Sequence, residues 1–204
     1  MKHAAIRKLF IIMLVSLAIL VMTPAIFAQD QGGFESREYD IGICGGLWLP
    51  GSIDIEDVDV DKENGLLIRA IADMYISPKF AVGGYFNYSM FSVSKDSYEA
   101  DANLYEFGFA FKPRLILSPQ TALKPGLNIG YRKSTREKLD IEPSGVETDA
   151  DGLGINVSIE FQYLLDGGYI FFVDGGFLSQ PAGGNDDADV TWAPILYICA
   201  GVVF

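Results

Sequence analysis

The chain has 204 residues, half of them hydrophobic, with 27 acidic side chains against 15 basic ones and a net charge of −12. One domain is the expectation at this length. The acidic balance argues against nucleic acid as a partner, because gripping phosphates requires basic contacts.

Lys2, Arg7 and Lys8 precede an apolar run from Leu9 to Met22, and the stretch Thr23 to Ala28 leads into Gln29-Asp30. A basic start, an apolar core and a small residue before a polar segment is the order of a secretory signal peptide. Cleavage is expected after Ala28. An uncleaved anchor is the alternative, but the core is short for a spanning helix, and no later run approaches ~20 apolar residues. Without residues 1–28 the chain keeps 12 basic and 27 acidic side chains, a net charge of −15. The only histidine, His3, leaves with them.

After a polar lead (29–38), eight alternating segments follow, each bounded by turn residues. The first is Tyr39 to Leu49, with Tyr39, Ile41, Ile43, Leu47 and Leu49 on one face. The second, Leu66 to Ile76, sets Leu66, Ile68, Met74 and Ile76 against Arg69 and Asp73. The third, Phe80 to Ser92, sets Val82, Phe86, Tyr88 and Met90 against Asn87 and Ser89. The fourth alternates Tyr105, Phe107, Phe109 and Phe111 with Glu106, Gly108, Ala110 and Lys112. The fifth sets Leu127, Ile129 and Tyr131 against Asn128 and Arg132. The sixth sets Leu153 to Tyr163, in steps of two, against Asn156, Ser158, Glu160 and Gln162. The seventh sets Tyr169, Phe171, Val173 and Phe177 against Asp174 and Gly176. The eighth is Thr191 to Phe204, where Phe204, Val202, Ala200, Ile198, Leu196, Pro194 and Trp192 share a wholly apolar face.

Connections alternate in length. Those at 77–79, 118–121 and 166–168 are tight, whereas 50–65, 94–101, 134–150 and 181–190 predict longer loops. Short turns at one end and long loops at the other are the pattern of a transmembrane barrel. Segments of this length match the ~9–11 tilted residues that cross a bilayer, and only a closed barrel can do so in β form. Tyr39, Phe80, Tyr163, Tyr169 and Phe204 fall near the turn ends, and Tyr105, Tyr131, Phe177 and Trp192 near the loop ends, as two outward girdles. The predicted fold is an all-β, eight-stranded, antiparallel up-and-down transmembrane β-barrel at 39–204, behind a signal peptide at 1–28. A soluble sandwich or calycin-type barrel is the alternative. Pro113, Pro125 and Pro194 each remove a ladder donor. Pro113 and Pro125 share a height on neighbouring strands, which predicts a local break near the turn end.

Eight strands leave an interior just wide enough for side chains or one small ligand. The inward charges are Arg69, Lys112, Arg114, Lys124 and Arg132 against Asp73, Glu106, Glu160 and Asp174. Near balance favours a salt-bridged core over a charge-selective pore, since buried charges need partners. Without histidine no base activates a serine near neutral pH, so no catalytic residue is assigned. A carboxylate dyad, Glu106 with Glu160 or Asp174, is the remaining enzymatic option. No cofactor is implied.

Asp57, Asp59 and Asp61 resemble the start of a calcium loop, but Lys62 stands where that loop needs glycine and Ile68 where it needs glutamate. They remain weak candidates for a metal, beside Asp186, Asp187 and Asp189 at another loop. A solvated acidic surface is the plainer account.

Cys44 and Cys199 both face inward by alternation. Closure of the first strand on the last brings them to similar height, as a disulfide or as two free thiols. A register shift of two residues is expected to separate them beyond bridging.

The glycine-rich first strand (Ile41-Gly-Ile-Cys-Gly-Gly-Leu-Trp), the turn–loop alternation and the terminal Phe204 resemble the OmpA/OmpX-like superfamily of outer-membrane β-barrel proteins, over nearly all of 39–204. The resemblance implies the cell outer membrane as location, its lipid and lipopolysaccharide as surroundings, and insertion by the barrel-assembly machinery through a signal at Phe204. It implies a structural or surface-interaction role with an unidentified extracellular ligand. An OmpW-like channel for small hydrophobic compounds, with Pro113 and Pro125 marking a lateral weak point, is the second option; a lipid-modifying enzyme is the third.

Overall fold

A computed structural model describes residues 33–55, 58–95, 98–136, 149–185 and 189–204. The expected signal peptide, residues 1–28, lies outside them. A short 3-10 turn, Phe34–Ser36, leads into β1 (Tyr39–Trp48), β2 (Gly51–Ile55), β3 (Val58–Ser77), β4 (Phe80–Lys95), β5 (Tyr98–Pro113), β6 (Leu115–Ser118), β7 (Thr121–Arg136), β8 (Asp149–Leu164), β9 (Ile170–Gly184) and β10 (Val190–Val203). Neighbours in sequence pair antiparallel around the whole sheet, and β10 pairs back onto β1 from Gly42↔Val203 to Trp48↔Tyr197. The sheet has no free edge to leave backbone groups unpaired in lipid.

Ten strands make eight staves, because two staves are interrupted. β1 and β2 both lie between β3 and β10, and the gap between them holds Pro50. β5 and β6 both pair with β7 in one register. The β5 ladder ends at Phe111↔Leu127 and the β6 ladder starts at Leu115↔Leu123. Pro113 and Pro125 sit in the skipped stretch, where the missing amide hydrogens break the ladder.

Alternation sends the apolar residues outward. Phe107, Phe109 and Phe111 are exposed between buried Glu106, Ala110 and Lys112; Phe109 is 72% exposed and Ala110 1%. Leu66, Met74, Ile76, Val157, Ile159 and Ile198 continue the band around the wall. A soluble barrel has the opposite polarity, with its apolar face inside.

Two expectations are corrected. The described residues of 50–65, 94–101 and 181–190 are largely strand rather than loop. β2 and β3 form a hairpin in register from Gly51↔Lys62 to Ile55↔Val58, β4 and β5 stay paired out to Lys95↔Tyr98, and β9 runs to Gly184. Alternating residues continue through these segments, so the ladders project beyond the apolar band instead of dissolving at its rim. The second correction is Trp192, which is 3% exposed and points inward. In β10, Trp192 pairs with Gln180 and Ile195 with Leu178. Three steps on one strand therefore meet two on the other, a β-bulge. Pro194 lies in that bulge and cannot donate to the ladder. Ala193 and Pro194 both face out, and the residues before them change face.

Candidate functional site: the ion-paired lumen and its two caps

The inward face of the barrel carries charge at three heights. At the turn end, Lys124 from β7 places Nζ 2.9 Å from Asp40 Oδ2 and 2.8 Å from Asp73 Oδ2, and Lys112 from β5 lies 2.9 Å from Asp73 Oδ2 and 3.4 Å from Glu160 Oε2. Gln162 donates to Asp40 (3.2 Å) and to Glu160 (2.7 Å). The Tyr75 hydroxyl donates to Asp40 at 2.5 Å, and Arg37 Nε donates to its other oxygen at 2.9 Å. Three carboxylates thus meet three cations. A buried charge is tolerable only when paired in this way.

Midway up, Arg69 donates to Asp174, to the Tyr197 hydroxyl (2.8 Å) and to Asn87 (2.7 Å). The Tyr197 hydroxyl donates to Asp174 at 2.8 Å, and Asn128 donates to Asn156 at 3.0 Å. Nearer the projecting end, Arg132 reaches Glu106 with Nη2 at 3.0 Å and Nε at 3.2 Å, and Tyr85 donates to the other oxygen of Glu106 at 2.5 Å.

Arg69, Asp73, Glu106, Lys112, Arg114, Lys124, Arg132, Glu160 and Asp174 are all buried on this inward face. Asp40 belongs with them. It stands between the outward residues Tyr39 and Ile41, so alternation alone assigns it inward, and with Lys62 at the projecting end counted the buried wall holds six bases against five acids. Arg37, from the lead segment, carries no such periodic signal.

Both mouths are closed by side chains. At the projecting end Trp48, Phe91 and Trp192 pack together. Trp48 and Phe91 stack at 6.3 Å between centroids, and Trp192 meets them edge-on at 5.9 and 5.5 Å. Arg132 lies 5.1 Å below the Trp192 ring. Lys62 sits over Trp48 and Phe91 at 5.2 and 5.3 Å and donates to the carbonyls of Leu49 and Glu63.

At the turn end the lead is a cap. Phe34 is 2% exposed. Arg114, in the ladder break beside Pro113, turns its guanidinium inward to donate to the carbonyls of Phe34 and Pro78, and stacks 3.8 Å over Tyr75. Arg37 donates to the main-chain oxygens of Gly168 (2.6 Å) and Phe204 (3.0 Å). The turn that offers the Gly168 carbonyl requires left-handed backbone at Gly167 and Gly168, with φ of 90° and 85°.

Of the weak metal candidates, Asp57 lies outside the described residues, as do Asp186 and Asp187. Asp59 faces Asp54 and Asp61 faces Ser52 in the β2–β3 hairpin. Among the described residues no three His, Cys, Asp or Glu side chains are grouped to hold a metal ion. Cys44 and Cys199 are both buried, with Sγ atoms 2.9 Å apart. In the β1–β10 ladder Cys44 faces Gly201 and Cys199 faces Gly46. The pair is therefore offset by two residues, yet the sulfurs touch. A groove of about 670 Å³ lies on the outer wall, among Ile43, Ala70, Ala72, Phe86 and Phe109.

A closed antiparallel barrel with an apolar exterior and an ion-paired interior is a membrane-spanning β-barrel. No protein-family model and no curated protein sequence matches the chain. Solved structures match it in fold. Neisserial surface protein A superposes with a TM-score of 0.55 at 12% identity, over 81% of this chain and 94% of that one. The outer membrane protein OprG from Pseudomonas aeruginosa gives 0.51 at 13% identity, over 85% and 97%. Ail, the attachment invasion locus protein of Yersinia pestis, gives 0.48 at 12% identity, over 82% and 100%. In fold the chain is a small eight-stranded β-barrel similar to Neisserial surface protein A and OprG.

Proposed function

We propose that this protein is a sealed barrel with a structural or surface-interaction role, working through the acidic strand ends that project above its lipid-facing band. One observation carries the reading: the lumen is filled by paired charges and closed at both mouths, by Phe34 at one end and by Trp48, Phe91 and Trp192 at the other. The likeness to a neisserial surface protein is consistent with it. The projecting part carries Asp54, Asp59, Asp61, Glu63, Glu99, Asp101, Asp149 and Asp151. Its unidentified extracellular ligand would on this account be cationic, or joined through divalent cations to lipopolysaccharide phosphates.

Residues 1–28 act as the export signal, 29–38 as the lead and 39–204 as the barrel, with Phe204 read by the barrel-assembly machinery. Catalysis is not proposed. The candidate carboxylates Glu106, Glu160 and Asp174 are held by Arg132, Lys112 and Arg69 in turn. Single-channel recording in a planar bilayer, with and without small hydrophobic solutes, tests the reading. A sealed barrel gives no unitary conductance and no solute-dependent noise. Steady conductance steps from the full-length protein would sink it in favour of a channel.

A further inference from the structure

We propose that Cys44 and Cys199 are joined by a disulfide that latches the first stave to the last. The inference rests on the closing seam. Cys44 on β1 and Cys199 on β10 are 3% and 2% exposed, and their sulfurs are 2.9 Å apart. A formed bond brings sulfurs to about 2.05 Å, a closure of roughly 0.9 Å that side-chain rotation supplies.

The residues around the pair make room for the bond. A diagonal pair across two strands is ordinarily too far apart to bridge, with β-carbons some 7 Å from each other. Here the two residues directly opposite are glycines. A β-carbon at Gly46 would stand 2.4 Å from Cys199 Cβ, and one at Gly201 would stand 2.5 Å from Cys44 Cβ. Any side chain at either position would occupy the space the sulfurs share. The two glycines clear the diagonal, and each cysteine leans into the space cleared opposite the other.

The chemistry is a two-electron oxidation by thiol–disulfide exchange. The oxidant is a disulfide-bearing donor, of the kind that maintains disulfides outside the cytoplasm. The Cys44 thiolate attacks one sulfur of the donor, forming a mixed disulfide and releasing the other donor sulfur as a thiolate. The Cys199 thiolate then attacks the Cys44 sulfur, and the second donor sulfur leaves. The two cysteines lose two protons and two electrons, and the donor disulfide becomes two thiols. In the finished barrel both sulfurs are buried, so exchange takes place while the seam is open and the closed seam then shields the bond. The bond spans 155 residues of sequence, so it holds nearly the whole barrel segment in one loop after denaturation.

The test uses the full-length protein extracted from membranes without reductant and denatured in excess alkylating reagent. The expected result is no alkylated thiol before reduction and two after it, counted by mass. On a non-reducing gel the denatured chain should run as a monomer, faster than its reduced form. Two alkylated thiols before reduction would overturn the proposal. So would a dimer that reduction dissolves, because it would place the bond between chains. Cys44→Ser and Cys199→Ser should each show one thiol without reduction and lose the mobility difference. The proposal fails if either variant retains it.

Discussion

Arg69 on β3 and Asp174 on β9 are bonded to each other over two intervening staves, β1 and β10, which form the closing seam. Cys44 stands opposite Arg69 in one ladder and Cys199 opposite Asp174 in the other. The ion pair therefore lies across the seam, directly over the two thiols. Replacing Arg69 by Ala leaves Asp174 buried without its guanidinium, at an expected cost of about 3–5 kcal/mol. The double variant Arg69→Met/Asp174→Leu removes both charges and should be more stable than either single variant. Heat-dependent gel mobility, read as a melting series, checks the order. Single and double variants melting together would refute the coupling.

The bulge at Ala193 and Pro194 makes a spectroscopic prediction. Trp48 and Trp192, the only two tryptophans, both point into the barrel. Lipids brominated along their acyl chains should leave the fluorescence of the reconstituted wild type nearly unchanged. Deleting Pro194 leaves Ala193 alone between Trp192 and Ile195, so Trp192 keeps its inward face, whereas Ala193 faces outward. In a Trp48→Phe background the deletion should leave quenching weak, and Trp192→Phe combined with Ala193→Trp should make it strong. Strong quenching in the wild type would count against the inward placement.

The cap at the turn end should hold ions out. Phe34→Ala combined with Arg114→Ala removes the ring that covers the mouth and the guanidinium that grips its carbonyl. The expected outcome in a planar bilayer is small unitary conductance where the wild type has none. Arg114→Ala alone should destabilise the barrel as well, because its side chain also bonds Pro78 across the ladder break. Silence from the double variant would mean that the ion-paired layers seal the lumen by themselves.

Lys62 stands above the lipid-facing band, four residues before Leu66, and burial there lowers its pKa to about 8, with Glu63 pulling the other way. The unfolded chain keeps this proton up to the ordinary lysine value, so between pH 8 and about 10.5 it binds more protons than the folded chain. Stability from this site therefore rises with pH across that window and is flat below it. Lys62→Met should remove the rise and stabilise the barrel at pH 7. The difference between wild-type and variant unfolding midpoints at pH 7, 8, 9 and 10 isolates the site. A difference that does not change with pH would show that Lys62 keeps an ordinary pKa.

The fold was legible because period two survives in nearly every stave. The rows of Phe107, Phe109 and Phe111 and of Ile155, Val157 and Ile159 have no competing helical reading. The same alternation sorts charges by face, so Glu106 and Lys112 can be placed from their neighbours alone. It fails where the backbone breaks period. The extra residue at Ala193-Pro194 inverts Trp192, and no composition signal marks where the parity changes. It also gives no partners. That Lys124 meets Asp40 and Asp73 together depends on barrel shear and side-chain length. The projecting hairpins were hidden because acidic, turn-rich sequence looks like loop until its partner strand is placed. The lead reads as polar because Phe34 is its single aromatic among polar and charged residues, and its burial is set by Arg114, far away in sequence.

The lead's anchors lie far from it along the chain. Arg37 is fastened to the main-chain oxygens of Gly168, in the turn between β8 and β9, and of Phe204, which arrives only with the last stave. A barrel still lacking its final stave offers this arginine Asp40 and Gly168 but not the Phe204 oxygen. The lead's full set of anchors is thereby complete only when the first stave and the last have met.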